Sequence, residues 1–526
     1  MENLAQKLNI SPFLASLLVK RGLKDPQEAE KFLIPRIEDL HSPFLIDDIK
    51  KVVKRVGEGI ARRERIMITG HDDVDGITST LVVMKTLRSF HPDVDYYIPD
   101  TKREGYGLPG ELLKSFSSQG VKLLITVDSG VSDFQGAKLA KSLGIEVIIT
   151  DHHEPQEELP QAQAVINPKR NDCTYPFRYL AGVGVALKFS LALLESFGGN
   201  DKGFLKEFLP LVALGTIADK VPLVGENRIL SKLGAEELGL STKPGIQTLR
   251  RMSRGGPGLD PIDDIIELLR FGHIKGGKSD IVDLLSAKDS AQAEIICDHL
   301  KQSGRLWRKE AEEARKMVTR EAETDGPIIV AVVPRVGVSL LGYCASFLSK
   351  EERKPTVVIG RRADLLVGEG RSPQSFDLFK AFSYCRDCFL QYGGHKRAAG
   401  FSMRPEMLKS FIDRIRDYAR NHLLLPPGQE DYDLKVPLQL LNQEVLSDLK
   451  RLSPFGQANP EPKFLTPGAD VQEVKEFYLG EWKLSEATID GRPFLIWGDP
   501  PSKGKKDLIY AIKGRHQGKL CLRIQR

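Results

Sequence analysis

At 526 residues the chain exceeds what one hydrophobic core organises, so roughly two to four domains are expected. Apolar residues make up 41% and charged residues 28%, which excludes an intrinsically disordered chain, and no apolar run approaches the roughly 20 residues of a membrane span. A net charge of +5 does not by itself announce an anionic partner; the sparse cysteines and the absence of a basic and apolar leader at Met1-Glu2-Asn3-Leu4 make the cytoplasm the expected location.

Residues 1–60 are predicted to form an N-terminal helical cap, with Leu14, Leu17 and Leu18 before Gly22, and Ala29, Phe32 and Leu33 before Pro35. From Arg65 the texture changes to short apolar runs separated by helical periodicity: Ile66–Thr69, Leu123–Val127 and Val147–Thr150. Strands that apolar are buried on both faces, which predicts an α/β domain over 61–300 built on a parallel sheet flanked by helices. The charge-alternating stretch from Leu306 to Glu323 predicts a solvated connecting helix, placed at 301–325. After Asp325-Gly326-Pro327 the run Ile328–Val333 opens a second, smaller α/β domain over 326–425, closed by the linker Pro426-Pro427-Gly428. The remainder, 426–526, consists of strand-like pieces such as Leu508–Ile512 and Leu520–Ile524, and predicts a small β-barrel.

Within Pro501–Arg526 the residues Lys503, Lys505, Lys506, Lys513, Arg515, Lys519, Arg523 and Arg526 stand against the single acid Asp507. That excess suits an anionic polymer, and a solvated tail explains it about as well. Cys385 and Cys388 form a CxxC pair, but no second pair follows to complete a zinc site, and no role is assigned to them.

The chemistry lies at the strand ends. Gly70 is followed by His71-Asp72-Asp73-Val74-Asp75-Gly76, Val127 by Asp128-Ser129-Gly130, and Thr150 by Asp151-His152-His153. In a doubly wound parallel sheet the carboxyl ends of strands face one crevice, so clusters distant in sequence can meet there. One acidic strand end is usually a helix cap or a turn; three in succession, with His71, Asp73 and Asp75 alternating, point instead to a site. Carboxylates and imidazoles without thiolate suit Mn²⁺ or Mg²⁺ rather than structural zinc. Clustered carboxylates repel unless a cation stands between them, and two divalent ions roughly 4 Å apart could activate water for attack on phosphorus. Phosphoester hydrolysis is the expected reaction class.

With His71-x-Asp73-x-Asp75-Gly76 and Asp128 upstream of Asp151-His152-His153, the chain resembles the DHH phosphoesterases. Leu214-Gly215-Thr216-Ile217-Ala218-Asp219 resembles the family's fourth motif, and Gly393-Gly394-His395-Lys396-Arg397-Ala398-Ala399-Gly400 resembles the GGH loop of the associated DHHA1 domain. Arg103–Leu108, Leu180–Ala186, Gly370-Arg371-Ser372 and Pro454–Pro462 resemble the RecJ-type single-strand-specific exonucleases within that family.

The resemblance implies an α/β fold with a parallel-sheet DHH domain, a connecting helix, a smaller DHHA1 domain and a C-terminal OB-like barrel. It implies that Asp73, Asp75, Asp128, His152 and Asp219, with His71, hold two divalent cations, Mn²⁺ or Mg²⁺. His153, with Asp128, is the implied catalytic group, and His153 contacts the scissile phosphate. Arg103, Arg371, Ser372, Gly393, Gly394 and His395 are the implied substrate contacts. An OB-like barrel would bind single strands through basic and stacking groups, for which Tyr478, Trp482, Phe494, Trp497 and Tyr510 are candidates, with core packing the role of at least half of them. The implied activity is 5′-to-3′ hydrolysis of single-stranded DNA to mononucleotides in repair and recombination. Implied partners are single-stranded DNA, a single-strand-binding protein and a helicase, and no membrane.

Three segments depart from the RecJ pattern. His71 stands where Asp is usual, Val333–Val338 lacks the Trp and His of its counterpart, and His273–Lys278 is a reduced form of an Arg-rich segment. The competing readings are a DHH phosphatase acting on short oligonucleotides or cyclic dinucleotides, and a non-catalytic DNA-binding scaffold. The C-terminal barrel counts against the first, and the retained Asp and His positions count against the second.

Overall fold

The computed structural model describes residues 2–104, 107–199, 201–253, 262–373, 375–422, 432–479 and 482–525. It divides into two units, one formed by residues 1–300 together with 431–526 and the other by residues 301–430.

The first unit is built on five parallel strands: β1 (Arg65–Gly70), β2 (Val94–Tyr97), β3 (Val121–Val127), β4 (Glu146–Thr150) and β5 (Ala164–Ile166), in the spatial order β2-β1-β3-β4-β5. Period-two alternation assigns their side chains to two cores. Ile66, Ile68, Leu123, Ile125 and Ile148 pack on one face with the helices Ile49–Ala61, Val74–Arg88 and Gly182–Phe197. Met67, Leu124, Val147 and Ile149 pack on the other with the helices Gly110–Ser118 and Phe134–Ser142. Each fully buried Val, Leu or Ile contributes roughly 1.5–3 kcal/mol, so burial on both faces holds the sheet between its helices. The strand order reverses between β1 and β3, and a doubly wound sheet opens its crevice at that switch point.

The first 60 residues are not one cap. Leu14, Leu17, Leu18, Phe32 and Leu33 share a core with Val436, Leu446, Phe464 and Tyr510 of the C-terminal region. Ile49, Val52, Val53 and Val56 instead form the apolar stripe that seats the helix Ile49–Ala61 on the parallel sheet. The C-terminal barrel closes through five strands, Lys463–Leu479, Trp482–Ile489, Arg492–Trp497, Gly504–His516 and Lys519–Gln525. The first pairs with the second and fourth, and the third pairs in parallel with the fifth, which is the OB arrangement. Arg228, on the helix Gly225–Leu240, ties the N-terminal helices to the helix Gln443–Leu452: its buried guanidinium donates to Phe32 O (3.1 Å), Leu452 O (3.0 Å) and Arg451 O (3.0 Å) and lies over the Phe32 ring. Burial lowers its pKa to about 9.

The helix Ser290–Glu321 carries the chain into the second unit. It begins well before the expected connecting helix and is solvated on one side, because Ala311, Ala314 and Val318 bury a stripe against the second sheet. That sheet has six strands in the order Gln391–His395, Ala398–Met403, Leu365–Arg371, Thr356–Arg362, Ile329–Val332 and Ala322–Glu323. The helix Val338–Glu351 covers one face, and Leu378–Tyr384 with Leu408–His422 cover the other.

Candidate metal centre

The chain leaves β1 at Gly70 and turns into the helix Val74–Arg88, which Asp73 caps by accepting from Gly76 N at 3.0 Å. Residue 76 must be glycine, since a Cβ there would lie 2.4 Å from His71 O. Asp75, in the buried first turn, accepts from Gly182 N (2.8 Å) and Val183 N (2.9 Å) at the start of the helix Gly182–Phe197. Asp128, at the end of β3, adopts a left-handed backbone (φ 54°), a conformation that non-glycine residues hold at a cost and that clusters at functional sites. A Cβ on residue 182 would lie 2.4 Å from Asp128 Oδ1, and one on residue 215 would lie 2.7 Å from Asp75 Oδ1, so both glycines clear space for carboxylates. At the end of β4, Asp151 accepts from Val131 N (2.9 Å), His152 N (2.7 Å) and His153 Nδ1 (2.7 Å). It orients both histidines from below.

These strand ends converge. His71 Nδ1 is 3.3 Å from Asp73 Oδ2, and His152 Nε2 is 3.1 Å from Asp128 Oδ1 and 3.6 Å from Asp219 Oδ2. Three groups of donor atoms fall within 4.8 Å: His71 with Asp73 and Asp128, Asp75 with His152 and Asp219, and Asp128 with His152 and His153. The expected ligands His71, Asp73, Asp75, Asp128, His152 and Asp219 are therefore brought together with His153, from residues 148 positions apart in sequence at the extremes (219 − 71 = 148).

The electrostatics call for a cation. Burial, reinforced by Asp219 and Asp73, lifts the Asp75 carboxyl well above the usual range; burial, reinforced by Asp75 and Asp73, does the same to Asp128. Burial and the nearby Asp73 push Asp219 up to about 7. Burial, then the charge on His153, lowers His152 to about 4, which leaves a neutral imidazole with lone-pair donors. Among the described residues, Asp128 Oδ1 and both His152 ring nitrogens are buried without a hydrogen-bond partner. An orphaned buried polar atom costs roughly 1–3 kcal/mol, and a hard divalent cation resolves both the orphaned donors and the mutual repulsion. His153 differs: its hydrogen bond to Asp151 holds its pKa up against burial, the opposite direction from His152.

Of the expected substrate contacts, Arg103 is exposed on the short helix Thr101–Glu104, paired with Asp100 at 3.4 Å. That helix is tethered beside the cluster, because Asp72 accepts from Thr101 N (3.0 Å) and Oγ1 (2.6 Å). Arg371, Ser372, Gly393, Gly394 and His395 lie in the second unit, where strand pairing sets Arg371 opposite Ala398 and Ala398 opposite His395. Arg371 is half-buried and pairs with Glu369 at 3.1 Å. Gly394 meets a tight approach, since a Cβ there would lie 2.4 Å from Ala399 Cα, while Gly393 has open space. The His395 side chain falls outside the described residues. Ser372 corrects an expectation: it is buried, and its hydroxyl faces Phe376 O (3.0 Å) and Lys396 O (3.3 Å), so it fastens the GGH turn rather than presenting a donor to substrate.

In the barrel, Phe494 and Tyr510 are core residues and Trp497 is half-buried, while the Tyr478 and Trp482 side chains and Arg526 lie outside the described residues. Glu461 accepts from Lys513 (2.7 Å) and Arg523 (3.0 Å), and Glu486 accepts from Lys519, so part of the basic tail is compensated internally. The two divergent segments have structural work. Ile274–Lys275 and Lys278–Ser279 form a hairpin that docks beside β2 through Ile98 N to Gly277 O (2.9 Å), and Val333 and Val336 are buried beneath the helix Val338–Glu351. Sequence reasoning missed the supports Asn167 and Arg228, and it marked Asp151 and Gly182 only as members of motifs, without their supporting roles. The segment Leu180–Ala186 stood out, but that its amides would grip Asp75 follows only from the tertiary fold.

Three family models match the chain: the DHH family N-terminal domain over residues 65–216, the DHHA1 domain over 325–421 and the RecJ OB domain over 432–481. The chain is similar to the single-stranded-DNA-specific exonuclease RecJ of Bacillus subtilis (strain 168), 36% identical over 493 residues, covering 90% of this chain and 61% of that protein. It is also similar to the exonuclease of the same name from Salmonella typhimurium, 30% identical over 525 residues, covering 93% of this chain and 88% of that protein. The chain thus spans about three-fifths of the length of the first relative and most of the second. The crystal structure of RecJ from Thermus thermophilus in complex with Mn²⁺ superposes with a TM-score of 0.78 at 24% identity, covering 99% of this chain and 76% of that one, which establishes the shared fold.

Proposed function

Since the chain belongs to the RecJ family of DHH phosphoesterases, we propose that it is a divalent-metal-dependent exonuclease that hydrolyses single-stranded DNA from the 5′ end to mononucleotides. The observation that carries this reading is the set of buried, mutually repelling carboxylates, Asp75, Asp128 and Asp219, around the neutral imidazole of His152. A structural acidic cluster would be paired with Lys or Arg; this one is oriented by backbone amides and left with lone pairs.

The residues divide into two ligand groups, His71, Asp73 and Asp128 on one side and Asp75, His152 and Asp219 on the other, with Mn²⁺ or Mg²⁺ the fitting ions. When bound, such a pair supplies an activated water for in-line attack and neutralises charge developing on the phosphoryl oxygens. His153, fixed through Nδ1 by Asp151, offers its other ring nitrogen toward a non-bridging phosphate oxygen, an interaction that stabilises the transition state more than the ground state. Gly182 and Gly215 keep room for the carboxylates to reach their ligand positions. Arg103, Arg371 and the Gly393-Gly394-His395 loop are the proposed grips on the rest of the strand, and the barrel is the proposed binding surface for long substrates.

The proposed division of labour assigns hydrolysis to 61–300, substrate binding to 326–425 and strand binding to 426–526. Among the described residues no helix is long and apolar enough to cross a membrane, and the cytoplasm is the proposed location. A single-strand-binding protein and a helicase are proposed partners, because an enzyme confined to unpaired strands needs a source of them. The test uses oligonucleotides labelled separately at each end, with Mn²⁺ or with excess chelator. Metal-dependent release starting at the 5′ end, blocked by a 5′ modification and by duplex, supports the proposal; turnover restricted to dinucleotides, or cleavage persisting in chelator, overturns it.

A further inference from the structure

The loop after β5 reaches the same crevice as the metal cluster, yet none of the sequence motifs covers it. Thr150 of β4 pairs with Ile166 of β5, and Asp151 N donates to Ile166 O at 3.0 Å, so Asn167-Pro168-Lys169-Arg170 begins directly beside the Asp151-His152-His153 turn. The loop is fixed at several points. The Asn167 amide is buried and donates to His153 O at 2.9 Å, while its Oδ1 accepts from Lys169 N at 2.8 Å. Arg170 is held by Asp48 (2.9 Å), Asp172 (2.6 Å) and Val165 O (2.6 Å). Arg178 donates to Lys169 O at 2.5 Å.

What this framework presents is one ammonium. The Lys169 side chain is 20% exposed, unusually low for lysine, and its ion partner is Glu154 at 3.4 Å, the residue after His153, whose own side chain is 69% exposed. The positive charge of Lys169 also acts on both His152 and Asp219 across the cluster. A lysine held on a rigid loop but paired to a solvated carboxylate can exchange that partner at little cost, since exposed ion pairs contribute roughly 0–1 kcal/mol. A phosphate offers more charge and three acceptor directions.

We propose, building on the nuclease reading, that Lys169 is a substrate-binding residue that releases Glu154 and takes a single backbone phosphate of the DNA strand on the His153 side of the metal centre. The strand then meets two side chains from adjacent strand ends, the His153 ring after β4 and the Lys169 ammonium after β5. Because Lys169 contacts a phosphate that is not cleaved, its contribution appears in KM rather than kcat.

The test uses the full chain with Mn²⁺ and a 5′-phosphorylated oligothymidine, comparing wild type with Lys169→Gln, Lys169→Arg and Glu154→Gln. Lys169→Gln should raise KM about tenfold, with kcat moving far less. It should also lower the slope of log(kcat/KM) against log salt by about 0.7, the signature of removing one phosphate neutralisation on a single strand. Lys169→Arg should restore the slope, and Glu154→Gln should lower KM. Neutral methylphosphonate linkages introduced one at a time should then identify one position at which the penalty of Lys169→Gln disappears. Equal salt slopes for a folded Lys169→Gln and wild type, or a penalty that no neutral linkage removes, overturns the assignment while leaving the nuclease reading intact. Absence of metal-dependent cleavage by wild type would overturn that reading and this inference together.

Discussion

The strand ends of the parallel sheet and the outer surface of the barrel are both rich in charge, but they treat it in opposite ways. Around Asp128 the carboxylates have, among the described residues, no lysine or arginine close enough to pair, and burial raises their pKa values. In the barrel, Lys513, Lys519 and Arg523 each have a carboxylate partner, while Lys503, Lys505 and Arg515 are exposed. Charge left uncompensated at a desolvation cost marks a place prepared for a ligand; charge matched within the fold contributes mainly to folding.

The contrast breaks most visibly at the cluster itself. Asp128→Ala or Asp219→Ala should reduce turnover by about 10²–10³ or more, as removal of a group acting directly on the transition state does, measured in single-turnover cleavage with saturating metal. The same variants should be at least as stable as wild type in chelator, because each removes one member of a repelling set. A metal-free variant clearly less stable than wild type would mean that the carboxylates are structural.

Arg371→Ala should lower cleavage about ten- to a hundredfold if it removes the proposed charge-assisted hydrogen bond to the strand, and Lys at that position should recover only part of it, since an ammonium lacks the planar fork. Ser372→Ala should instead appear as a fall in thermal stability, because its hydroxyl faces the carbonyls of Phe376 and Lys396. A pure activity loss in Ser372→Ala, with stability unchanged, would restore it as a substrate contact.

The pH dependence of the metal-free fold follows from the raised carboxyls. Asp219 titrates at about 7 in the folded chain and near the ordinary carboxyl value when unfolded, so the folded state binds more protons between these limits. The Asp219 contribution to stability should therefore fall as pH rises from about 4 to about 7, while His152, which burial lowers to about 4, contributes in the opposite sense. The difference between thermal melts of wild type and Asp219→Asn in chelator should show this fall, and saturating Mn²⁺ should flatten it.

The smallest effects belong to the barrel. Replacing Lys503, Lys505 and Arg515 together should lower the salt slope for long strands by up to about 2, taking about 0.7 for each phosphate no longer neutralised. Lys513→Gln should leave the slope nearly unchanged and cost no more than about 1 kcal/mol of stability. Equal slopes in both variants would remove the distinction between paired and exposed cations.

How much of this was legible in the sequence depended on whether local signals suffice. The apolar runs of β1, β3 and β4 and the acidic clusters after them specify both the sheet and its crevice, because burial on two faces and chain reversal at a strand end are local facts. The β5 loop carries no such signal: Ala164–Ile166 is three residues long, and the value of Asn167 and Lys169 comes from lying beside β4. The expected 1–60 cap divides because the buried faces around Leu14 and Val52 have different partners, Phe464 and the β1 face, which are fixed only by the tertiary fold. Ser372 is an expected substrate contact only by resemblance; the residues alone read as a polar turn, and sequence does not show the carbonyls its hydroxyl faces.

The most direct test of the central claim is titration of Mn²⁺ into the chelator-stripped chain, with bound ions counted and proton release recorded. Two ions per chain should bind at around neutral pH with release of protons from the raised carboxyls, and Asp128→Ala, which removes the carboxylate that belongs to two of the donor groups, should lose binding. Failure to bind Mn²⁺ or Mg²⁺, or unchanged stoichiometry and affinity in Asp128→Ala, would contradict the account.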